Sequence, residues 1–328
     1  MRLVLFGAGA FGVPTFDRLA DTHKVVGVYT QPARPAGRRR RPTPTPVAGW
    51  AASRGLPCVE TPNANADGVV AGVRDHAADA GVVIAFGQKL SPQLIAACGR
   101  LAVNLHSSLL PAYRGAAPIH WAVLNGDART GVSVIGLAPR MDAGEIYARV
   151  ATPIDPQETT GELHDRLAGD LGPDAVADVL RRLADGTLQS VVQDEAAATR
   201  ARKLTKADGT TDFGGSAAVV RAWVHGVNPW PGCRVAWRRA DDGGNAPPRD
   251  LRLLRVRVAD AGPGGDPRAG AAGLVDRNRH VICGGGGRLE LLEVQRPGGR
   301  PMPFTAFADG NGFGEGDRLT KWTATNDR

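Results

Sequence analysis

Short apolar runs alternate with helical spacings through the first hundred residues, and this rhythm constrains the fold more than any other feature. Residues 3–6 form an apolar run that ends in glycines, residues 11–19 carry a helical period, and residues 25–29 form the next strand. Buried apolar runs follow at 81–86 and 101–105. Strands separated by helical segments imply right-handed βαβ units and a parallel sheet. Residues 1–189 are therefore expected to form an α/β, doubly wound, Rossmann-like domain. Thr159 and Glu162 have capping-box spacing, which predicts an amphipathic helix to about residue 185, stopped by Gly186. Residues 190–210 are polar without an apolar period and read as a linker.

The pattern changes after residue 211. A helix is predicted over 216–227, followed by short strand signals at 234–237, 251–256, 273–275, 281–283 and 289–294. Turns rich in Gly, Pro and Asp, such as 241–248, separate them. Five short strands and a helix predict a small closed β-barrel of the oligonucleotide-binding (OB) type over 211–328. A chain of 328 residues suits two such domains.

Simple counts bound the function. Forty Lys and Arg against 33 Asp and Glu give a net charge of +7, which suits a polyanionic partner without establishing one. Cys58, Cys98, Cys233 and Cys283 are widely spaced, which suggests reduced structural thiols, a cytoplasmic setting and no zinc site. The N-terminal MRLVLFGAGAFG reads as a first strand rather than a signal peptide, and no stretch suggests a membrane span.

Four motifs carry chemistry. Gly7-Ala8-Gly9-Ala10-Phe11-Gly12 has dinucleotide-binding spacing, but strand two ends Tyr29-Thr30-Gln31 without the acid a ribose needs, so a tight strand-to-helix turn is the expected role. Asn104-Leu105-His106 ends a buried strand, where α/β sheets bind ligands. Two positions apart in extended backbone, Asn104 and His106 face the same side, so an amide donor and an imidazole share one pocket. Such a pair can stabilise an oxyanion and move a proton. Asp142, in Met141-Asp142-Ala143-Gly144, is by itself an ordinary turn residue. Residues 31–46 are rich in Pro and carry Arg34, Arg38, Arg39, Arg40 and Arg41, which predicts an extended, exposed, phosphate-binding loop. Of Trp223, Trp230 and Trp237, at least two are expected in the barrel core, leaving at most one as a stacking face.

The stretch from Ala102 to Tyr147, with its Asn-x-His pair, its Ser108-Leu109-Leu110-Pro111-Ala112-Tyr113-Arg114-Gly115 segment and its downstream Asp, resembles the folate-dependent formyltransferase family. The resemblance implies a catalytic trio of Asn104, His106 and Asp142. It assigns folate contacts to Ser108, Leu109, Leu110 and Pro111, and to the strand-end loop with Phe86, Gly87 and Gln88. The implied co-substrate is 10-formyltetrahydrofolate, with no metal. The Thr30–Arg38 insertion, the linker Lys203-Leu204-Thr205-Lys206 and the opening Val227-Asn228-Pro229-Trp230-Pro231-Gly232 resemble the branch acting on methionyl-tRNA. That branch implies initiator methionyl-tRNA as partner, held by Arg34, Arg38, Arg39, Arg40, Arg41, Lys203 and Lys206, and a monomeric enzyme away from membranes. The likeness extends to about Leu319. It departs in a glycine-richer N-terminal turn and in a basic loop that uses Arg throughout. A sugar-nucleotide N-formyltransferase, a 10-formyltetrahydrofolate hydrolase, a nicotinamide-dependent dehydrogenase and a non-catalytic RNA-binding protein stay open as alternatives.

Overall fold

The alternating rhythm is realised as a seven-stranded sheet. The computed structural model describes residues 1–36, 41–243, 246–259 and 271–323. The strands are β1 (Arg2–Gly7), β2 (Lys24–Thr30), β3 (Cys58–Glu60), β4 (Ala80–Ile84), β5 (Leu101–His106), β6 (Arg129–Gly136) and β7 (Ile146–Pro153). They lie in the order β7-β6-β5-β4-β1-β2-β3. The five strands from β5 to β3 pair in parallel. They carry the expected Rossmann-like arrangement, and all five residues of β4 are buried, as a covered parallel strand requires. The sheet is mixed, because β6 returns antiparallel to β5. Strand order reverses between β1 and β4, and the crevice beyond their carboxyl ends is where such sheets take ligands.

The glycine-rich turn sits at that reversal. A Cβ on Gly7 would lie 2.5 Å from the ring of Phe16, and one on Gly12 would lie 3.1 Å from both Phe16 and Ile84. Phe16 is fully buried, so the glycines let helix Val13–Thr22 press against the strands. The N–H groups of Ala8 and Gly9 both donate to the Ala85 carbonyl at 3.3 Å. These two amides are engaged within the fold rather than turned to a phosphate, in keeping with a tight strand-to-helix turn.

The predicted extended loop at 31–46 is partly a short ladder. Arg34–Ala36 pairs antiparallel with Arg41–Thr43, setting Pro35 opposite Pro42 on an exposed edge where proline is tolerated. Arg34 and Arg41 are exposed, while Arg38, Arg39 and Arg40 fall outside the described residues. The capping box forms as its spacing requires: Glu162 Oε2 accepts the Thr159 N–H at 2.8 Å and its hydroxyl at 2.9 Å. The helix continues through a π turn at Leu167–Leu171 into Gly172–Ala184, and Gly186 at φ +70° ends it.

The chain divides into two compact units. One holds Met1–Pro118, Thr130–Thr152 and His164–Ala201; the other holds Ile119–Arg129, Pro153–Leu163 and Arg202–Arg328. Residues 190–201 of the expected linker are built into the first unit, where Arg200–Ala201 pairs in parallel with Arg114–Gly115.

The second unit contains β8 (Cys233–Arg238), β9 (Arg249–Val258), β10 (Val281–Ile282), β11 (Arg288–Gln295), β12 (Pro301–Pro303) and β13 (Arg318–Lys321). Their order is β10-β11-β9-β8-β13, with β12 on β11. Leu274 bridges β13 and Val275 bridges β10, which brings the sheet close to a closed barrel. Helix Ala217–Gly226, capped by the Ser216 hydroxyl, appears as predicted. Helix Phe304–Asn311 and strand β13 carry no clear sequence signal, yet Phe304, Phe307, Phe313 and Trp237 stack into one aromatic core. Trp237 is buried and donates to Asp317 at 2.8 Å; half-buried Trp223 donates to the Asp208 carbonyl at 3.1 Å. Trp230 is 47% exposed.

Within this unit His225 is 1% exposed, and its Nε2 accepts the Val256 N–H at 3.2 Å. Burial, with the Arg255 charge nearby, pulls its pKa down to about 4. A folded pKa below the unfolded value of about 6.5 means that the folded state binds fewer protons. The stabilisation is complete above about pH 6.5 and is lost as pH falls towards 4, a swing of about 3 kcal/mol. Thermal melts of the native chain should decline over that window, and His225→Gln should flatten the decline. A variant whose melting temperature tracks the native one across the window would exclude His225 as its source.

Candidate active site

The end of β5 sets the centre. Asn104 and His106 leave the same face of the strand, paired across to Ile135 and Ser133 of β6. His106 is 6% exposed, whereas Asn104 is half-buried and its amide has no hydrogen-bond partner among the described residues. A donor left open at the edge of a buried strand is available to an incoming ligand.

His106 Nε2 lies 3.0 Å from the Tyr113 carbonyl oxygen. A carbonyl only accepts, so Nε2 carries the proton, and the lone pair of a neutral ring sits on Nδ1. Nδ1 faces Asp142 Oδ2 at 3.8 Å, with the Asp142 side chain 14% exposed. That distance is longer than a hydrogen bond and places the carboxylate beside the ring nitrogen. The same Oδ2 accepts the Gly115 N–H at 2.9 Å. Asp142 holds a left-handed backbone with φ +56°, as do Tyr113 at +63° and Ala85 at +48°. Three left-handed non-glycine residues around one crevice mark backbone shaped for a task other than regular structure. A Cβ at Gly144 would fall 1.8 Å from the Gly136 carbonyl oxygen, so only glycine lets the Asp142 loop close onto β6.

The segment after His106 is fixed from behind. Ser108 Oγ donates to the Ala112 carbonyl at 2.6 Å. Ser133 Oγ donates to the Ser108 carbonyl at 2.7 Å and accepts the Leu110 N–H at 3.0 Å. Arg149 reaches the Leu110 carbonyl at 3.2 Å. Leu110 packs into a buried cluster with Ile135 and Ile146, while Leu109 and Pro111 are half-buried. The side chains of Ser108 and Leu110 are therefore committed to the fold.

The strand-end loop behaves similarly. Phe86 is 2% exposed and packs edge-on against Phe6 at 5.6 Å. Its carbonyl accepts Gln31 Nε2 at 2.8 Å, close under Gly87. The Gln88 amide is tied to the neighbouring loop at both ends, donating to the Thr61 carbonyl and accepting the Ala64 N–H. The Phe86 and Gln88 side chains are thus committed to the fold, while Ala85 and Gly87 are exposed. Lys203 and Lys206, in the second unit, are exposed.

Gln193, Ser133 and Gln31 were not singled out by sequence reasoning. Gln193 lies in a stretch that reads as a polar linker, yet it is 6% exposed and bonds to the Asp142 loop. Ser133 had a usable signal: a hydroxyl inside the apolar run 132–137 needs a buried partner.

Residues 1–180 match the family described as formyl transferase, and residues 203–312 match its C-terminal domain. A methionyl-tRNA formyltransferase of Moorella thermoacetica is 38% identical over 311 residues, covering 94% of this chain and 96% of that protein. The fold is similar to that of the sugar 3N-formyl transferase WlaRD, solved in the presence of dTDP and 5-N-formyl-THF. The TM-score is 0.62 at 12% identity, over 88% of this chain and 96% of that one. HypX of Aquifex aeolicus, in complex with tetrahydrofolic acid, superposes with a TM-score of 0.58 at 12% identity, over 96% of this chain and 48% of HypX. This chain spans about half of HypX, and likeness at that identity is one of fold.

Proposed function

The chain belongs to the formyltransferase family, and from that premise we infer that it transfers a formyl group to the α-amine of methionyl-initiator tRNA, giving N-formylmethionyl-tRNA. The observation that carries this reading is the near-full-length identity to a methionyl-tRNA formyltransferase across both units. The formyl donor is a folate, which we take to be 10-formyltetrahydrofolate, lying in the crevice beside the backbone of 85–88 and 108–111.

A free α-amine titrates near 7.7–8.0, and an ester lowers that value, so much of the nucleophile is neutral at pH 7. Its nitrogen attacks the formyl carbon, and the carbonyl pair moves onto oxygen. The Asn104 amide donates to that oxyanion. The nitrogen gains positive charge and must release a proton, and His106 Nδ1 has the lone pair to take it. The Asp142 carboxylate stabilises the imidazolium formed. When the intermediate collapses, the bond from the formyl carbon to the folate nitrogen breaks, and that nitrogen takes the proton held on the His106 imidazolium, leaving tetrahydrofolate and a neutral ring.

The test presents the purified chain with the formyl-folate donor and, in separate reactions, charged methionyl-initiator tRNA, an amino-sugar nucleotide, or water alone. Formyl transfer to the tRNA is expected. Transfer only to the sugar, or hydrolysis alone, would replace this reading with one of its rivals.

Acceptor binding is proposed to rest on Arg34, Arg38, Arg39, Arg40, Arg41, Lys203 and Lys206. Arg pairs with phosphate in two-pronged fashion and stacks on unpaired bases, which suits an acceptor end. Replacing Arg38 to Arg41 with Gln should weaken tRNA binding and flatten its salt dependence by about one unit of slope for each phosphate left without its arginine. Folate affinity should be unchanged. An unaltered slope over a salt titration would remove the loop from the interface.

A further inference from the structure

Asp142 owes its position to a residue far along the chain. The Gln193 side-chain amide donates to the Asp142 carbonyl at 2.8 Å and to the Gly144 carbonyl at 2.7 Å. Its oxygen accepts from Arg114 Nε at 3.0 Å and Nη2 at 2.8 Å. All four bonding capacities of the carboxamide are therefore used at a site 6% exposed. Arg114 is held in turn by both oxygens of Glu195, at 3.0 and 3.1 Å. Hydrogen bonds from Arg114 and Arg140 bring the Glu195 carboxyl down to about 2, so it stays an anion at every working pH.

We propose that Gln193 is a positioning residue for Asp142: its buried amide, steered by Arg114, pins the left-handed backbone from which the Asp142 carboxylate faces His106, and so sets the proton transfer of the reaction. The proposal rests on the formyl-transfer reading for its kinetic test. The two carbonyls that Gln193 grips flank Ala143, just after the residue whose φ is +56°. Only a side chain with two N–H groups satisfies both while its oxygen faces a guanidinium. A carboxamide is the side-chain type that does this without adding charge beside Asp142.

Gln193→Glu separates the roles. It keeps an acceptor for Arg114 and turns the two donors into acceptors facing carbonyls. With saturating 10-formyltetrahydrofolate and methionyl-tRNA, kcat should fall about 10- to 100-fold, the range for a small misplacement of a reacting group, with KM for both substrates little changed. In an Asp142→Asn background the same substitution should cost less than about two-fold, because residues acting through one another are not additive. Equal cost in both backgrounds, or a loss confined to KM, would overturn the proposal. Should Gln193→Glu fail to fold, Glu195→Gln loosens Arg114 from an exposed position and should lower kcat a few-fold; unchanged kcat there overturns the proposal equally. The His106 ring nitrogens, followed by NMR without substrate, should shift in Gln193→Glu in the direction seen in Asp142→Asn. Unmoved resonances would sink the positioning role, whereas a native chain that formylates no methionyl-tRNA would sink the functional reading alone.

Discussion

Replacing Asn104 with alanine is expected to lower kcat by about 10²–10³, with KM for either substrate little changed, because removing a single oxyanion donor costs that much. The amide is half-buried at the end of β5, and no protein group among the described residues occupies it. Losing it therefore leaves no buried partner unsatisfied, and the fold should melt as before. That combination of intact stability and a pure kcat defect is the signature of a group used only in the transition state. Single-turnover rates for the native chain and Asn104→Ala measure it. Near-normal turnover would take Asn104 out of the oxyanion site.

The second large effect is expected from Asp142→Asn, at about 10²–10⁴ in kcat, the range for a group supporting proton transfer. The side-chain oxygen can still accept the Gly115 N–H, so the loop keeps its local anchor. What disappears is the negative charge 3.8 Å from His106 Nδ1, which must stabilise the imidazolium once the amine has given up its proton. The loss should appear in the rate of formyl transfer within a preformed complex of enzyme, folate and tRNA. A variant that binds poorly but turns over normally within that complex would assign Asp142 to binding.

Particular residues show what could be read from sequence. The parallel core was legible because its strands are apolar runs bounded by glycines, and the register that brings Asn104 and His106 to one face follows from the period of a strand. The antiparallel return of β6 was not, since a buried strand has the same apolar composition in either direction. The hairpin at Arg34–Ala36 was hidden by prolines, which usually argue against a ladder and are tolerated here on a short exposed edge. Helix Phe304–Asn311 was hidden by its length and by Gly310, and packing of its aromatic residues overrides weak propensity. Asp142 was named through family likeness; its left-handed backbone and its facing of Nδ1 arise from contacts made by residues 115 and 193. Gln193 looked like linker because a single buried amide leaves no period.

The strap formed by residues 193–201 carries a further consequence. It meets the reaction loops through the Gln193 carboxamide, the Glu195 carboxylate on Arg114 and Arg140, a two-residue strand pair, and hydrogen bonds between Thr199 and Pro111, Tyr113 and Arg114. Most of the strap is exposed, and solvent-facing bonds of this kind open at a lower free energy than the buried sheet. The strap can therefore lift while β1 to β5 stay protected, and on heating the chain should stop turning over before it unfolds. Amide exchange would resolve the two events, with the N–H groups of Tyr113, Arg114 and Ala116 exchanging in step with lost activity while those of β4 stay slow.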